Sequence, residues 1–166
     1  GLKEGAGLDG QTIGIFDTLM DARSIFLTPN STTVYVTQCF DLENGPIVLE
    51  ASPGLLGPMD DAYFRHVTDV GLTGPDKGKG GKYLFVPPGY EGELPKEGYF
   101  IVESPTYTLW QLTRAFVKDG DLEATAQGVK DTMRVYPWAQ RDNPPETKLV
   151  NLWGLKINTV HAKNLD

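Results

Sequence analysis

Apolar and polar residues alternate in short segments over the first two thirds of the chain. These segments lie at 13–16, 33–40, 46–50, 62–70, 83–86 and 98–103. Gly- and Pro-rich stretches separate them, and alternation bounded by turn residues is typical of β-strands. Asn44-Gly45 predicts a hairpin turn, because this pair favours positive φ at both turn centres. Residues 51–60 and 71–82 predict loops, since Gly and Pro interrupt regular structure there.

The pattern changes after residue 103, where the spacing predicts two α-helices. Ser104-Pro105 can begin the first helix, and Leu109, Leu112 and Phe116 then recur at helical spacing. Asp121 can cap the second, which Pro137 ends. Residues 149–160 predict a last strand. The predicted fold is mainly β, antiparallel and sandwich- or barrel-like, with two helices in the C-terminal third; α+β is the alternative.

Charge and hydropathy exclude two classes of partner. The 166 residues carry a net charge of −7, which argues against a nucleic-acid-binding surface. Apolar runs are too short for a membrane span. The chain begins with Gly1 and no signal-like apolar segment follows, so the compartment cannot be inferred from the residues themselves.

Few residues are available for metal or nucleophilic chemistry. Cys39 is the single cysteine, and His66 and His161 are the two histidines, far apart in sequence. A closed zinc site needs four ligands, mostly Cys and His. The sequence therefore indicates no metal, no cofactor and no catalytic thiol, and Cys39 is interpreted as a small buried residue.

Clustered aromatic residues and arginines favour a ligand-binding module. In the first predicted helix, Arg114 shares a stripe with Tyr107, Trp110 and Val117. A guanidinium beside aromatic rings is typical of packing or of an anion clamp. We predict a pocket for an anionic or sugar-like small molecule. Its residues are Asn30, Tyr35, Tyr63, Arg65, Trp110 and Arg114.

Two other functions remain open at this stage. Asp41, Asp69 and His66 lie on strand-like segments, as a carboxylate- and histidine-dependent hydrolase would require. An apolar face covered by a partner would instead indicate a structural or assembly domain. A partner domain or a homo-oligomer is expected in either case.

Four segments resemble the bacterial family catalogued as domain of unknown function 1254. Residues 28–35 (TPNSTTVY) are similar to its T-P-N-x-D-T-x-Y signature, and residues 41–48 (DLENGPIV) to its D-L-x-x-G-P-V-V segment. Residues 80–90 (GGKYLFVPPGY) resemble its G-G-x-Y-L-x-x-P-P-G-[WY] stretch. Ser104-Pro105-Thr106 with Trp110 and Arg114 resembles its S-P-T-x-x-x-W-x-x-x-R segment. The resemblance implies a β-rich fold and an exported or periplasmic protein, but no activity.

The chain departs from this family at one signature position, where Thr32 replaces the usual Asp. The resemblance covers residues 12–138, which we predict to be one domain. In such proteins a domain of unknown function 1214 is commonly found on the C-terminal side. Residues 139–166 are accordingly predicted to be a linker and the start of a following segment, so the chain is expected to be a fragment of a two-domain protein.

Overall fold

The computed structural model describes residues 10–19 and 30–153, in which ten strands form two sheets. The strands are β1 Thr12–Phe16, β2 Thr33–Asp41, β3 Ile47–Ala51, β4 Leu55–Asp61, β5 His66–Gly71, β6 Gly81–Val86, β7 Phe100–Glu103, β8 Thr108–Phe116, β9 Arg134–Pro137 and β10 Lys148–Asn151. One α-helix, α1 Leu122–Thr132, and a 3₁₀ turn, Trp138–Gln140, lie between β8 and β10.

The larger sheet has six strands in the order β10-β1-β2-β8-β4-β5, and the smaller has four in the order β7-β6-β3-β9. The pairs β1–β10 and β6–β7 are parallel, and the remaining pairs are antiparallel. The prediction of a mainly β fold is confirmed, but both sheets are mixed rather than purely antiparallel. Among the described strands neither sheet closes on itself, so the barrel-like alternative is wrong.

Both sheets contribute to one hydrophobic core. Buried side chains from β1, β2, β4, β5 and β8 of the larger sheet and from β3, β6 and β9 of the smaller sheet form a single cluster. The rings of Phe40 on β2 and Phe85 on β6 lie 5.1 Å apart across it. Ala126 and Val129 of α1 complete the cluster. Burial of this apolar surface is the main force that holds the two sheets together.

The first predicted helix is wrong, because Thr108–Phe116 is strand β8 at the centre of the larger sheet. Its buried face carries Gln111 and Thr113, whereas Trp110 and Leu112 lie on the more exposed face. Leu109 and Ala115 share that buried face, so apolar and polar residues occur on both faces instead of being separated as in a usual half-buried strand. The spacing of the apolar residues therefore predicts a helix, whereas the backbone of this segment pairs with β2 along its whole length.

The second predicted helix is confirmed as α1, which makes it the one α-helix in the described part of the chain. Asp121 caps it, accepting a hydrogen bond of 2.9 Å from the backbone N–H of Ala124. The helix ends at Thr132, before β9 rather than at Pro137. No helix within the described ranges is long and apolar enough to cross a membrane.

Strand β4 is a second departure from the predicted elements, because it occupies part of the predicted 51–60 loop. Gly57 and Pro58 lie inside it, between β8 and β5. Gly57 is required there, since an added Cβ would lie 2.2 Å from the backbone oxygen of Leu112.

The predicted hairpin at Asn44-Gly45 is also wrong. A turn exists, but β2 and β3 belong to different sheets, so the chain crosses from one sheet to the other there.

The 71–80 loop is organised around Asp76. This buried carboxylate accepts hydrogen bonds from the backbone N–H groups of Gly71, at 2.8 Å, and Gly80, at 3.0 Å. It also accepts a bond of 2.6 Å from the hydroxyl of Tyr83, in the core. One side chain therefore ties the loop to strands β5 and β6. The predicted final strand corresponds to β10, Lys148–Asn151, and its continuation from residue 154 lies outside the described residues.

Candidate functional site

The pairing of β2 with β8 places two of the predicted residues directly opposite each other. Tyr35 faces Arg114, and Thr37 and Cys39 face Leu112 and Trp110. The alternate residues of β8 point into the core, so these side chains lie on the outer face of the larger sheet. We call the outer positions from Tyr35 to Cys39 of β2, from Trp110 to Arg114 of β8 and from Leu56 to Asp60 of β4 the open face. Its residues are Tyr35, Thr37, Cys39, Trp110, Leu112, Arg114, Leu56, Pro58 and Asp60.

The polar end of the open face is formed by Asn30, Tyr35 and Arg114. The Asn30 amide donates a hydrogen bond of 2.8 Å to the hydroxyl of Tyr35. Its oxygen accepts from the backbone N–H and hydroxyl of Thr32, at 3.0 and 3.1 Å, and from the hydroxyl of Thr33, at 2.9 Å. Asn30 is thereby fixed before β2 begins, and it fixes the ring of Tyr35 in turn. Thr32, which replaces the usual Asp of the signature, thus donates two hydrogen bonds to Asn30 within this turn.

Arg114 is exposed on β8 and forms no ion pair with any residue that the structure describes. Leu56 of β4 lies opposite it on the other side. The guanidinium is therefore flanked by a phenol on one strand and an aliphatic side chain on the next. A guanidinium presents several N–H donors in a fixed plane, an arrangement that suits a carboxylate or phosphate group.

The aromatic end of the open face is formed by Trp110. Its indole N–H donates a hydrogen bond of 3.1 Å to the hydroxyl of Thr37, which is 1% exposed. The ring of Phe64, from the turn after β4, meets Trp110 edge-on at a centroid distance of 5.4 Å. Trp110 and Arg114 share one face of β8 and are four residues apart, which corresponds to about 13 Å along a strand. Leu112 lies between them.

Tyr63 and Arg65 lie in the turn between β4 and β5, where Arg65 is already engaged. The Arg65 Nε donates to Asp61 Oδ2 at 2.6 Å, and its guanidinium lies 5.4 Å from the Tyr63 ring centroid. Asp61 Oδ1 accepts from the backbone N–H groups of Tyr63, at 2.8 Å, and Arg65, at 3.0 Å. Burial alone would raise the pKa of Asp61, but these hydrogen bonds and the charge of Arg65 outweigh it and hold that pKa below its usual value.

The six predicted ligand-binding residues therefore fall into three places rather than one pocket. Asn30, Tyr35 and Arg114 are together, Trp110 lies farther along β8, and Tyr63 and Arg65 shape the turn. Sequence reasoning missed Phe64, Leu56 and Leu112 on or beside the open face. The adjacent aromatic pair Tyr63-Phe64 is a signal for an exposed aromatic turn. The predicted strand over 62–70 included both residues, so the pair was not interpreted in that way.

The hydrolase residues are only partly brought together. His66 Nε2 lies 3.3 Å from Asp69 Oδ1 on β5. Asp41 lies on β2, which β8 and β4 separate from β5. Three strand spacings amount to about 14 Å, so Asp41 cannot act on the same atom as the other two. Across residues 10–19 and 30–153, no group of three or more His, Cys, Asp or Glu side chains could hold a metal ion. Cys39 is half-buried on the open face.

Comparisons with other proteins place the fold among known ones. The crystal structure of a Vibrio parahaemolyticus protein, VPA0106, is similar at a TM-score of 0.59 and 15% identity. The match covers 71% of this chain but 31% of that protein, so the chain spans about a third of its length. At this identity the likeness concerns the fold alone. A comparison with curated proteins gives no match.

The family resemblance suggested by the sequence motifs is confirmed. A family model described as "Protein of unknown function (DUF1254)" matches residues 11–137, which include the open face and its supporting strands. The chain therefore belongs to the DUF1254 family.

Proposed function

We propose that this domain is a binding module for a small anionic molecule with an apolar or ring-shaped body, and that the open face is its site. The observation that carries the proposal is the pairing of Tyr35 with Arg114 on the exposed side of the larger sheet. The Arg114 guanidinium and the Tyr35 hydroxyl are thereby neighbours. They lie beside an apolar strip that consists of Leu112, Leu56 and Trp110.

The polar end supplies the head-group contacts of such a ligand. Arg114 can bind a carboxylate or phosphate through two N–H groups, and hydrogen bonds to charged groups contribute about 1.5–3 kcal/mol. Asn30 orients the hydroxyl of Tyr35 toward the same end. The Tyr35 hydroxyl is thus held by the Asn30 amide before any ligand arrives, which lowers the entropic cost of binding.

The apolar strip would accommodate the body of the ligand. Leu112 and Leu56 are half-buried, and Trp110 lies at the far end with Phe64 against it. Apolar contact over such a strip adds about 25 cal/mol per Å² of surface removed from water. A ring or short chain extending from Arg114 toward Trp110 would use the whole strip, whereas a bare inorganic anion would use one end.

We further propose that the domain works beside a second domain or a second copy of the chain. The support is that the similar Vibrio parahaemolyticus protein is about three times as long as the matched part. We propose a domain of unknown function 1214 as the neighbour on the C-terminal side of residues 139–166. An open face covered by such a partner would become an enclosed pocket, where electrostatic contacts are stronger than at a free surface.

The experiment compares benzoate with benzyl alcohol, a matched uncharged probe, by NMR titration of the full chain. Benzoate should bind more tightly than benzyl alcohol to the wild type, and Arg114→Gln should weaken benzoate binding by roughly tenfold or more. Arg141→Gln is the control, because Arg141 is also exposed but stacks on Trp138, 4.3 Å from that ring's centroid. Equal binding by wild type and Arg114→Gln would reject the site.

The assembly alternative is favoured by one observation on the same side of the molecule. Tyr63 and Phe64 are each 74% exposed in the turn beside Trp110. Sedimentation of wild type and Phe64→Ser over a range of concentrations separates the two functions. Self-association that Phe64→Ser abolishes, with no benzoate binding, would favour assembly over ligand binding.

A further inference from the structure

A concave site apart from the open face lies between β9, an edge strand of the smaller sheet, and β10, an edge strand of the larger sheet. It is a cleft of about 430 Å³ between β9, the C-terminal end of α1, the segment 144–147 and β10. Small-molecule sites commonly have volumes of about 300–1,000 Å³. The charged and hydroxyl-bearing side chains that line it are Glu50, Lys130, Arg134, Tyr136, Glu146 and Thr147.

A row of alternating charges crosses the smaller sheet, and two of its members, Glu50 and Arg134, line the cleft. Glu50 on β3 lies directly opposite Lys82 on β6 and Arg134 on β9. Glu50 Oε1 accepts a hydrogen bond of 2.6 Å from the Tyr136 hydroxyl and lies 3.1 Å from Lys82 Nζ. Burial would raise the pKa of Glu50, but Tyr136, Lys82 and Arg134 together lower it. The carboxylate is therefore ionised at neutral pH, and one of its oxygens is held firmly.

Arg134 is held in a similar way, by one of its nitrogens. Its Nη1 donates to the backbone oxygens of Lys130, at 3.1 Å, and Met133, at 2.8 Å, at the end of α1. No described residue bonds to Nε or Nη2 of Arg134 or to Oε2 of Glu50. Glu50 and Arg134 thus place a hydrogen-bond acceptor and a hydrogen-bond donor side by side on adjacent strands. Each side chain is held at one atom, Glu50 Oε1 or Arg134 Nη1, and its other polar atoms can bind a ligand.

The walls of the cleft are also held in place. The hydroxyl of Thr147 accepts from the backbone N–H of Val135 at 2.9 Å and contacts its carbonyl oxygen at 3.2 Å, which ties the segment 144–147 to β9. Lys130 Nζ is bound to Asp17 at 2.6 Å. Pro144, Pro145 and Leu149 supply an apolar wall.

We infer that this cleft binds a neutral polyhydroxylated molecule, of the sugar class. Two cations and two carboxylates line it, so their charges balance and neither a bare anion nor a bare cation is favoured. A sugar hydroxyl both donates and accepts, which matches Glu50 Oε2 beside the remaining N–H groups of Arg134. The C–H face of a sugar ring fits the wall of prolines and leucine. The site is separate from the open face, because β10 lies at the edge of the larger sheet and β1 stands between it and β2.

The test is a titration of the full ¹⁵N-labelled chain with glucose, galactose, mannose, maltose and lactose, each to about 50 mM. At least one sugar should shift the backbone amides of Glu50, Arg134 and Thr147 saturably. Glu50→Gln should weaken that binding by roughly tenfold, and Arg114→Gln should leave it unchanged. Inorganic phosphate is the anionic comparison and should produce no saturable shift at these amides.

Three results would overturn the inference. They are the absence of a saturable shift at these amides with all five sugars, shifts confined to other regions, and binding of phosphate in place of sugar. Because the wild-type titration decides these outcomes, the test holds even where Glu50→Gln fails to fold. Glu146→Gln, at an exposed position of the same cleft, then serves as the second variant.

Discussion

Arg65 binds a single oxygen of Asp61, because its Nε and Nη2 atoms both lie 2.6 Å from Asp61 Oδ2. The other oxygen of Asp61 accepts two backbone N–H groups of the same turn. Between these contacts Phe64 adopts a φ of 57°, a left-handed conformation that is rare for a bulky residue. One buried carboxylate therefore positions the ring that packs against Trp110.

The first prediction concerns the pH dependence of this turn. The pKa of Asp61 is lowered in the folded chain, so its contribution to stability is present above the unfolded value of about 3.9 and is lost as pH falls through the lower folded value. Asp61→Asn should reduce stability at neutral pH, and the gap to wild type should narrow below about pH 4. Urea unfolding at several pH values measures it.

Asp60→Asn is the matched control for that series. Asp60 is adjacent and half-buried, and its side chain makes no hydrogen bond within the part of the chain that the structure describes. We expect little change in its unfolding midpoint. A gap between wild type and Asp61→Asn that stays constant down to pH 2 would contradict the role given to the Asp61 carboxylate.

The second prediction concerns the loop organised by Asp76. Burial, the hydrogen bond to Asp76 and the negative charge of that residue together raise the pKa of Tyr83, so its hydroxyl stays a donor well into alkaline solution. Tyr83→Phe removes one of three hydrogen bonds to a buried carboxylate and should cost about 1.5–3 kcal/mol in the free energy of unfolding. Tyr107→Phe, at a half-exposed ring, should cost far less. Equal losses for the two variants would be inconsistent with this interpretation.

The third prediction contrasts two glycines. An added Cβ at Gly57 would lie 2.2 Å from the Leu112 oxygen and 2.7 Å from the Thr113 Cα, and backbone cannot move aside cheaply. Gly57→Ala should destabilise the protein by about 1–3 kcal/mol or more, as overpacking does. Gly128 lies in α1 with nothing within 4 Å of an added Cβ. Gly128→Ala should stabilise the chain by about 0.5–1 kcal/mol. Thermal unfolding of both variants should show shifts of opposite sign.

How far the sequence predicts this fold depends on which face of each strand is apolar. The alternation in β2 was unambiguous because Val34, Val36 and Phe40 are all buried, and β2 ends one residue beyond its prediction. In β8 the buried side includes Gln111 and Thr113, so no alternation was visible. In β4, Gly57 and Pro58 are residue types that predict a loop. The glycine is required there because the backbone of β8 packs closely against it.

Part of the candidate site could be predicted for a reason unrelated to the predicted helix. Residues four apart share a face in a helix and also in a strand. Trp110 and Arg114 therefore lie on one side of β8 although the helix was wrong. Tyr107 and Val117 of the same predicted stripe lie outside β8 and do not belong to the open face. The register that places Tyr35 opposite Arg114 is a long-range pairing, which local patterns do not contain.

The central claim is that the open face binds an anionic ligand, and the indole N–H signals of the three tryptophans test it most directly. The Trp110 indole donates a hydrogen bond to Thr37 on the open face, whereas the Trp138 ring packs against Tyr99 beside the smaller sheet. Addition of benzoate should shift the Arg114 Nε–H signal saturably, should shift the Trp110 indole, about 13 Å along the strand, to a smaller extent, and should leave the Trp138 indole unchanged. A Trp138 shift with Trp110 and Arg114 unmoved would contradict the account.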